Sequence, residues 1–167
     1  MKRSVLSFWV LLIGVLVSAG QVFLLGPSLP GRVASHFGPG GVADGFMERG
    51  AFLVFQLTST AVIVGLFLAL PLLLRVLPAE GLNIPNKDHW LAPDRRGATI
   101  SYLAERFFAF GAATLALFTA ELQLVYEANL HGSASIGAAS WVYVLLYLVY
   151  TAIWAGALAR RFTRLPE

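Results

Sequence analysis

No cysteine occurs among the 167 residues, which excludes a disulfide framework, a thiolate metal site and a thiol nucleophile. Charge is nearly as scarce. Asp, Glu, Lys and Arg make up 13% of the chain, against roughly 25% in soluble proteins, too little to cover a globule in water. The patterns GxxxxGK[ST], HExxH, GxSxG and GxGxxG are also missing. Their absence removes the phosphate-cradling loop, the zinc-protease helix, the nucleophile elbow and the dinucleotide fingerprint. The expectation is a protein without catalytic residues, cofactor or resident metal. No internal repeat stands out, so a single domain over residues 1–167 is expected.

What the chain has in quantity is apolar sequence: 57% hydrophobic residues, with a mean hydropathy of +0.73. Four long runs account for it, about Val5 to Leu25, Ala51 to Leu77, Phe107 to Val125 and Trp141 to Ala159. Each reaches the roughly 18 to 20 residues that a helix rising about 1.5 Å per residue needs to cross a hydrocarbon core. None alternates with period two, so transmembrane strands are excluded, and the backbone in lipid must bond within helices. The fold class expected is all-α, an integral membrane bundle of four transmembrane helices over residues 5–26, 51–77, 99–127 and 140–160. A connector at 78–98 and two loops at 27–50 and 128–139 join them.

The net charge of +3 and pI near 9.6 are distributed for a membrane rather than for nucleic acid. Ten basic residues, Lys2, Arg3, Arg75, Lys87, Arg95, Arg96, Arg106, Arg160, Arg161 and Arg164, flank one side; only Arg32 and Arg49 flank the other. The positive-inside rule then predicts cytoplasmic termini and a cytoplasmic connector, with both loops outside. Lys2-Arg3, the first run and Val17-Ser18-Ala19 also resemble a secretory signal. Because apolar character continues through Val22 to Leu25, retention of the first helix is expected.

Glycines and Pro39 in the outer loop LPGRVASHFGPGGVADGFMERG predict turns rather than a regular element. Pro71 predicts a kink or fraying near the inner end of the second helix, and Pro78 closes it. The connector NIPNKDHWLAPDRRG, Asn83 to Gly97, is fenced by Pro85 and Pro93. Trp90 is there predicted to settle at headgroup depth beside cations facing anionic lipid. Asn83, Pro85, Asn86, Lys87, Trp90, Pro93, Arg95 and Arg96 are the candidate lipid or partner contacts. His89 is read as an interfacial or hydrogen-bonding residue. Glu105 and Arg106 mark the membrane entrance of the third helix, with Glu105 free to pair with Arg95 or Arg96.

An ionisable side chain inside a membrane is costly, about 2.5 to 3.5 kcal/mol on insertion scales, which singles out Glu121. Gly111, Thr114 and Phe118 share its helix face by spacing. Gln21, Gln56, Ser59 and Thr60 fall at similar outer depth, and Tyr143, Tyr147 and Tyr150 form a hydroxyl stripe that continues to Trp154. The candidate polar pocket is Gln21, Gln56, Thr60, Glu121, Tyr143 and Tyr147; the structural alternative is interhelical hydrogen bonding and an aromatic belt. His36, Asp44, Glu48, Glu127 and His131 carry groups that bind divalent cations, yet their spacing matches no metal motif.

Leu29-Pro30, His36-Phe37-Gly38, Gly41 and Asp44-Gly45-Phe46 resemble the outer-loop signature of a bacterial family of uncharacterised membrane proteins, related to the N-terminal domain of SdpI-type toxin-immunity and signalling proteins. Asn83 to Arg96 is similar to the connector of stand-alone members, with His89 where tyrosine is common. The resemblance covers roughly residues 5–130. It implies a multi-pass protein of the bacterial inner membrane that senses or neutralises an extracellular peptide at the motif His36, Gly38, Gly41, Asp44 and Gly45, and docks a cytoplasmic regulator on its connector. A structural accessory subunit of a larger membrane complex and a small-solute transporter are the alternatives; the latter is disfavoured by the lack of a repeat. Membrane lipids and a protein partner are expected, nucleic acid is not, and a homo-oligomer stays open.

Overall fold

A computed structural model describes residues 2–165, with side chains from Leu6 onward. Lys2 and Arg3, and the ends of the expected 1–167 domain, lie outside the described side chains. The chain is 74% helical, and four helical segments are long and apolar enough to cross a membrane: Leu6–Ser28, Arg49–Val76, Arg96–Leu130 and Ala139–Thr163.

The first of these is α1 (Lys2–Gly20), which widens into a π-turn at Gln21–Leu25 and tightens into a 3-10 turn at Gly26–Ser28 before Pro30. Two strands follow, β1 (Arg32–Phe37) and β2 (Ala43–Glu48), and then α2 (Arg49–Val76), which runs through the buried Pro71. The connector holds a 3-10 turn at Ala79–Gly81 and the single-turn α3 (Lys87–Trp90). The longest helix, α4 (Arg96–Leu130), and the last, α5 (Ala139–Thr163), complete the chain.

The hairpin corrects the expectation that this loop holds turns rather than a regular element, and adds two short strands to a mostly helical chain. β1 and β2 pair antiparallel, with register irregularities on either side of His36. Those irregularities erase the period-two pattern by which a strand is read from sequence. Gly38, Pro39, Gly40 and Gly41 form the tip, where Gly41 adopts φ +73°. Val42 also forms a bridge with Ser135, so the two loops at this end are one unit. This end is called the hairpin end, and the opposite one the connector end.

α4 is the central helix, touching α1, α2 and α5. Beneath the hairpin, Leu29, Val33, Phe52, Leu122, Val125 and Tyr126 form a buried cluster. Leu11, Ala112 and Leu115 fill the middle. At the connector end, Trp90, Leu103 and Phe162 make a third. Gly14 and Gly111 let the helices approach: a Cβ on Gly14 would meet Leu115 at 2.8 Å, and one on Gly111 would run into the Phe67 ring. α5 lies mainly on α4, with its other faces uncovered by protein.

Candidate functional site

Three groups of polar side chains are positioned by this framework, and the first lies at the hairpin end. His36 and Asp44 face each other across the two strands and pair through Nδ1 and Oδ1. Gly45 sits opposite His36 in the register, and a Cβ there would meet the His36 Cβ at 2.8 Å. A Cβ on Gly41 would meet the Gly137 carbonyl at 2.9 Å, and one on Gly38 would meet Asp44 Oδ2 at 3.0 Å. All five motif residues therefore belong to one construction: two polar side chains, two glycines, Gly41 and Gly45, where an added Cβ would clash, and Gly38, where it would press on Asp44.

This construction and the first turns of α5 border an open cavity of about 430 Å³, lined by His36, Phe37, Asp44, Ile136, Ser140 and Trp141 among others. The second loop closes its side. Ala43 donates its backbone N–H to the Ala134 carbonyl at 2.9 Å, and Ile136 donates to the Gly41 carbonyl at 3.0 Å. Trp141, in the first turn of α5, donates its indole N–H to the Pro39 carbonyl at 3.0 Å. An acidic and imidazole rim beside an indole ring and an apolar floor suits an amphipathic ligand. No cluster of three or more His, Asp or Glu side chains placed to hold a metal ion occurs among the described residues. Glu127 instead accepts from Gln123 at 3.1 Å, and His131 bonds the Glu127 carbonyl at 2.8 Å.

The second group is buried between α1, α2 and α4. Gln56, fully buried, donates to Gln21 Oε1 at 2.9 Å and accepts from the Tyr126 hydroxyl at 2.8 Å. Gln21 donates in turn to the Thr119 carbonyl at 2.9 Å and to Gln123 Oε1 at 3.1 Å. Ser18 and Thr60 join through their hydroxyls at 2.8 Å. Three expected pocket residues, Gln21, Gln56 and Thr60, thus come together, but as a closed hydrogen-bonded seam.

Glu121, Tyr143 and Tyr147 do not join that seam. Position 121 lies two residues from both 119 and 123, about 200° around the helix from each, so it points toward α5 when Thr119 and Gln123 point toward α1. Tyr147 bonds Thr114 at 2.8 Å, and Tyr143 and Tyr147 line a shallow groove along α4. Glu121 Oε1 is buried and has no hydrogen-bond partner among the described residues.

The third group is the connector. Trp90 is not at a lipid surface: it is 6% exposed, edge-on to Phe162, covered by the Arg161 guanidinium at 4.6 Å, and donates to the Phe162 carbonyl at 3.2 Å. Asn86, in the left-handed region at φ 52°, donates to the same carbonyl at 2.9 Å. The last carbonyls of a helix lack intrahelical donors, and here the connector supplies them to α5. Arg96 does the same for α2, donating to the Leu77 carbonyl at 2.5 Å. Arg95 bonds His89 and Asp94 instead of Glu105. Asn83, Pro85, Lys87 and Pro93 remain exposed.

Residues 10–60 are similar to a domain of unknown function, DUF1648. Comparison with curated proteins and with solved structures gave no match. The DUF1648 segment begins within α1, takes in the whole hairpin and ends at Thr60 in α2. It therefore carries Ser18, Gln21, His36, Asp44, Gln56 and Thr60.

The partners of the DUF1648 segment lie outside it, on α4 and α5. Thr119, Gln123 and Tyr126 complete the buried seam, and Asn129 clasps the outer edge of β1. Its Oδ1 accepts from the Ala34 N–H at 2.8 Å, and its Nδ2 donates to the Ala34 carbonyl at 2.9 Å. These residues and Trp141 escape a reading of the sequence alone. The spacing 119, 123, 126 and 129, one face of α4, is the signal that marks most of them.

Proposed function

We propose that this is a non-enzymatic, multi-pass protein of the bacterial inner membrane, of the immunity or signalling kind, that binds an extracellular peptide at its hairpin end and engages a partner at its cytoplasmic connector end. The cavity between the hairpin tip and the first turn of α5 carries this reading. It joins the outer-loop motif to a transmembrane helix whose far end is capped by Asn86 and Trp90 of the connector. An occupant that displaces Trp141 from Pro39 acts on α5 directly, and α5 meets the connector at Phe162. The orientation rests on charge: among the described residues, eight basic side chains flank the connector end and two, Arg32 and Arg49, the hairpin end.

The test places a photo-crosslinking residue at Ser140, on the cavity wall, in cells challenged with extracellular peptide toxins. The expected outcome is peptide adducts at Ser140 and lowered survival of a deletion strain. No adduct from any peptide, combined with survival equal to the parent strain, overturns the reading. Stoichiometric co-purification with a fixed membrane assembly would replace it with the accessory-subunit role.

A further inference from the structure

At the connector end α1 and α4 leave a groove of about 320 Å³ lined by Leu6, Ser7, Tyr102, Glu105, Arg106 and Ala109. It lies where both helices change from polar to apolar. Leu6 opens the apolar span of α1, and no charged residue follows Arg106 on α4 until Glu121. Aromatic groups mark the same level: the Arg106 guanidinium lies 5.0 Å from the centre of the Tyr102 ring, and Trp154 donates its indole N–H to the Arg106 carbonyl at 3.0 Å. Tyr and Trp with a polar tip and an apolar body settle at headgroup depth.

Two residues of opposite charge line this groove, and among the described residues neither forms an ion pair. A purely anionic ligand would meet repulsion from Glu105, and a purely cationic one from Arg106. A zwitterion satisfies both. Arg106, fixed over a ring, presents the fork of donors that suits a phosphodiester, and the neighbouring carboxylate suits a primary ammonium a two-carbon link away. Leu6 and Ala109 continue the wall into the apolar span.

We propose that the groove between α1 and α4 binds the headgroup of an aminophospholipid, with its phosphate on Arg106, its ammonium on Glu105 and an acyl chain along Leu6 and Ala109. This inference depends on the membrane span and not on the extracellular ligand proposed above. A site of this kind would hold the first helix to the central one from the lipid side.

Native mass spectrometry of the full chain, loaded with phosphatidylethanolamine, phosphatidylcholine or phosphatidylglycerol of matched acyl chains, tests it. The parent protein is expected to retain phosphatidylethanolamine most. Glu105→Gln should cut the preference for phosphatidylethanolamine over phosphatidylcholine by about threefold, the scale of a partly exposed ion pair, and raise retention of anionic phosphatidylglycerol. Arg106→Gln should lower retention of all three. A purely structural role for Glu105 would change all lipids in one direction, so equal loss of phosphatidylethanolamine and phosphatidylglycerol overturns the proposal, as does equal retention of the three by the parent. If soluble phosphoethanolamine or inorganic phosphate displaces the lipid at matched concentration, the site is one for a soluble phosphate and the lipid assignment fails.

Discussion

Trp141 donates its indole N–H to the carbonyl oxygen of Pro39 at 3.0 Å, joining the first turn of α5 to the tip of a hairpin that precedes it by a hundred residues in the chain. At the other end of the same helix, the Phe162 carbonyl accepts from Asn86 and Trp90. Between these ties α5 lies mainly on α4, through Thr114 with Tyr147 and through Phe110 with Tyr147, Tyr150 and Trp154. The same helix thus touches both the hairpin tip and the connector.

Replacing Trp141 by Phe keeps an aromatic ring in the cavity wall and removes only the donor. A single neutral hydrogen bond contributes about 1 kcal/mol, which corresponds to roughly fivefold in a local opening equilibrium. Amide exchange at Gly38 to Gly41 should accelerate by about that factor, with global unfolding little changed. Exchange at parental rates would show that the hairpin tip is held by the second loop alone.

Asn129 acts as a one-residue strand along the free edge of β1, exchanging two hydrogen bonds with Ala34. Asn129→Leu leaves a buried N–H and C=O without partners, costing about 1 to 3 kcal/mol. Asn129→Asp keeps the acceptor and loses the donor. Exchange of the Ala34 amide is expected to rise steeply in Asn129→Leu and only slightly in Asn129→Asp; the reverse order would contradict the clasp.

The membrane spans are legible because length and apolarity in lipid leave few alternatives, and each observed span ends within a few residues of the expected bounds 5–26, 51–77, 99–127 and 140–160. The hairpin is not, because bulges beside His36 break its alternation and its stability comes from Asn129 and the second loop, far away in sequence. Trp90 shows the same limit. An indole in a polar connector fits a headgroup layer as well as a helix terminus, and only the position of Phe162 decides between them. Depth along each helix places Gln21, Gln56 and Thr60 at one level, where they form a closed seam rather than a pocket, yet depth says nothing of rotation, and Glu121 lies on the opposite side of its own helix.

The seam itself should respond unequally to its members. Gln56 links Ser18, Gln21 and Tyr126, so Gln56→Leu strands several buried polar atoms, whereas Tyr126→Phe removes one hydroxyl and leaves Gln56 bonded to Gln21. Interhelical hydrogen bonds in membranes average roughly 0.6 kcal/mol. Thermal unfolding in detergent should place Gln56→Leu about 2 to 4 °C below Tyr126→Phe, the shift expected for about 1 kcal/mol in a chain of this size. Equal midpoints would mean that the seam is not cooperative.

Gly111 marks a close approach of α4 to α2, since an added Cβ there would meet Cγ and Cβ of the buried Phe67. Those atoms are the stem of the side chain and cannot swing aside as a chain end can. Gly111→Ala, although favourable for an isolated helix by up to about 1 kcal/mol, should therefore destabilise the bundle by about 1 to 3 kcal/mol through overpacking. Gly65→Ala, on a helix face with nothing within 4 Å, serves as the control and should leave the midpoint unchanged or raise it.

Glu121 offers the sharpest separation of stability from function. Thr114 meets Tyr147, and Phe107 meets Trp154, so α4 and α5 run antiparallel and Glu121, seven residues beyond Thr114, falls level with Ser140 on the cavity wall. Its Oε1 is buried without a partner among the described residues, which is costly for a carboxylate inside a membrane. Glu121→Gln and Glu121→Leu should both raise the unfolding midpoint, by about 2 to 4 °C for each kcal/mol relieved. Binding sites often cost stability, and on the reading proposed above the same variants should lose peptide adducts at Ser140 while remaining folded. A midpoint that falls in both variants would show that the carboxylate stabilises the fold, and the functional assignment of Glu121 would then be withdrawn.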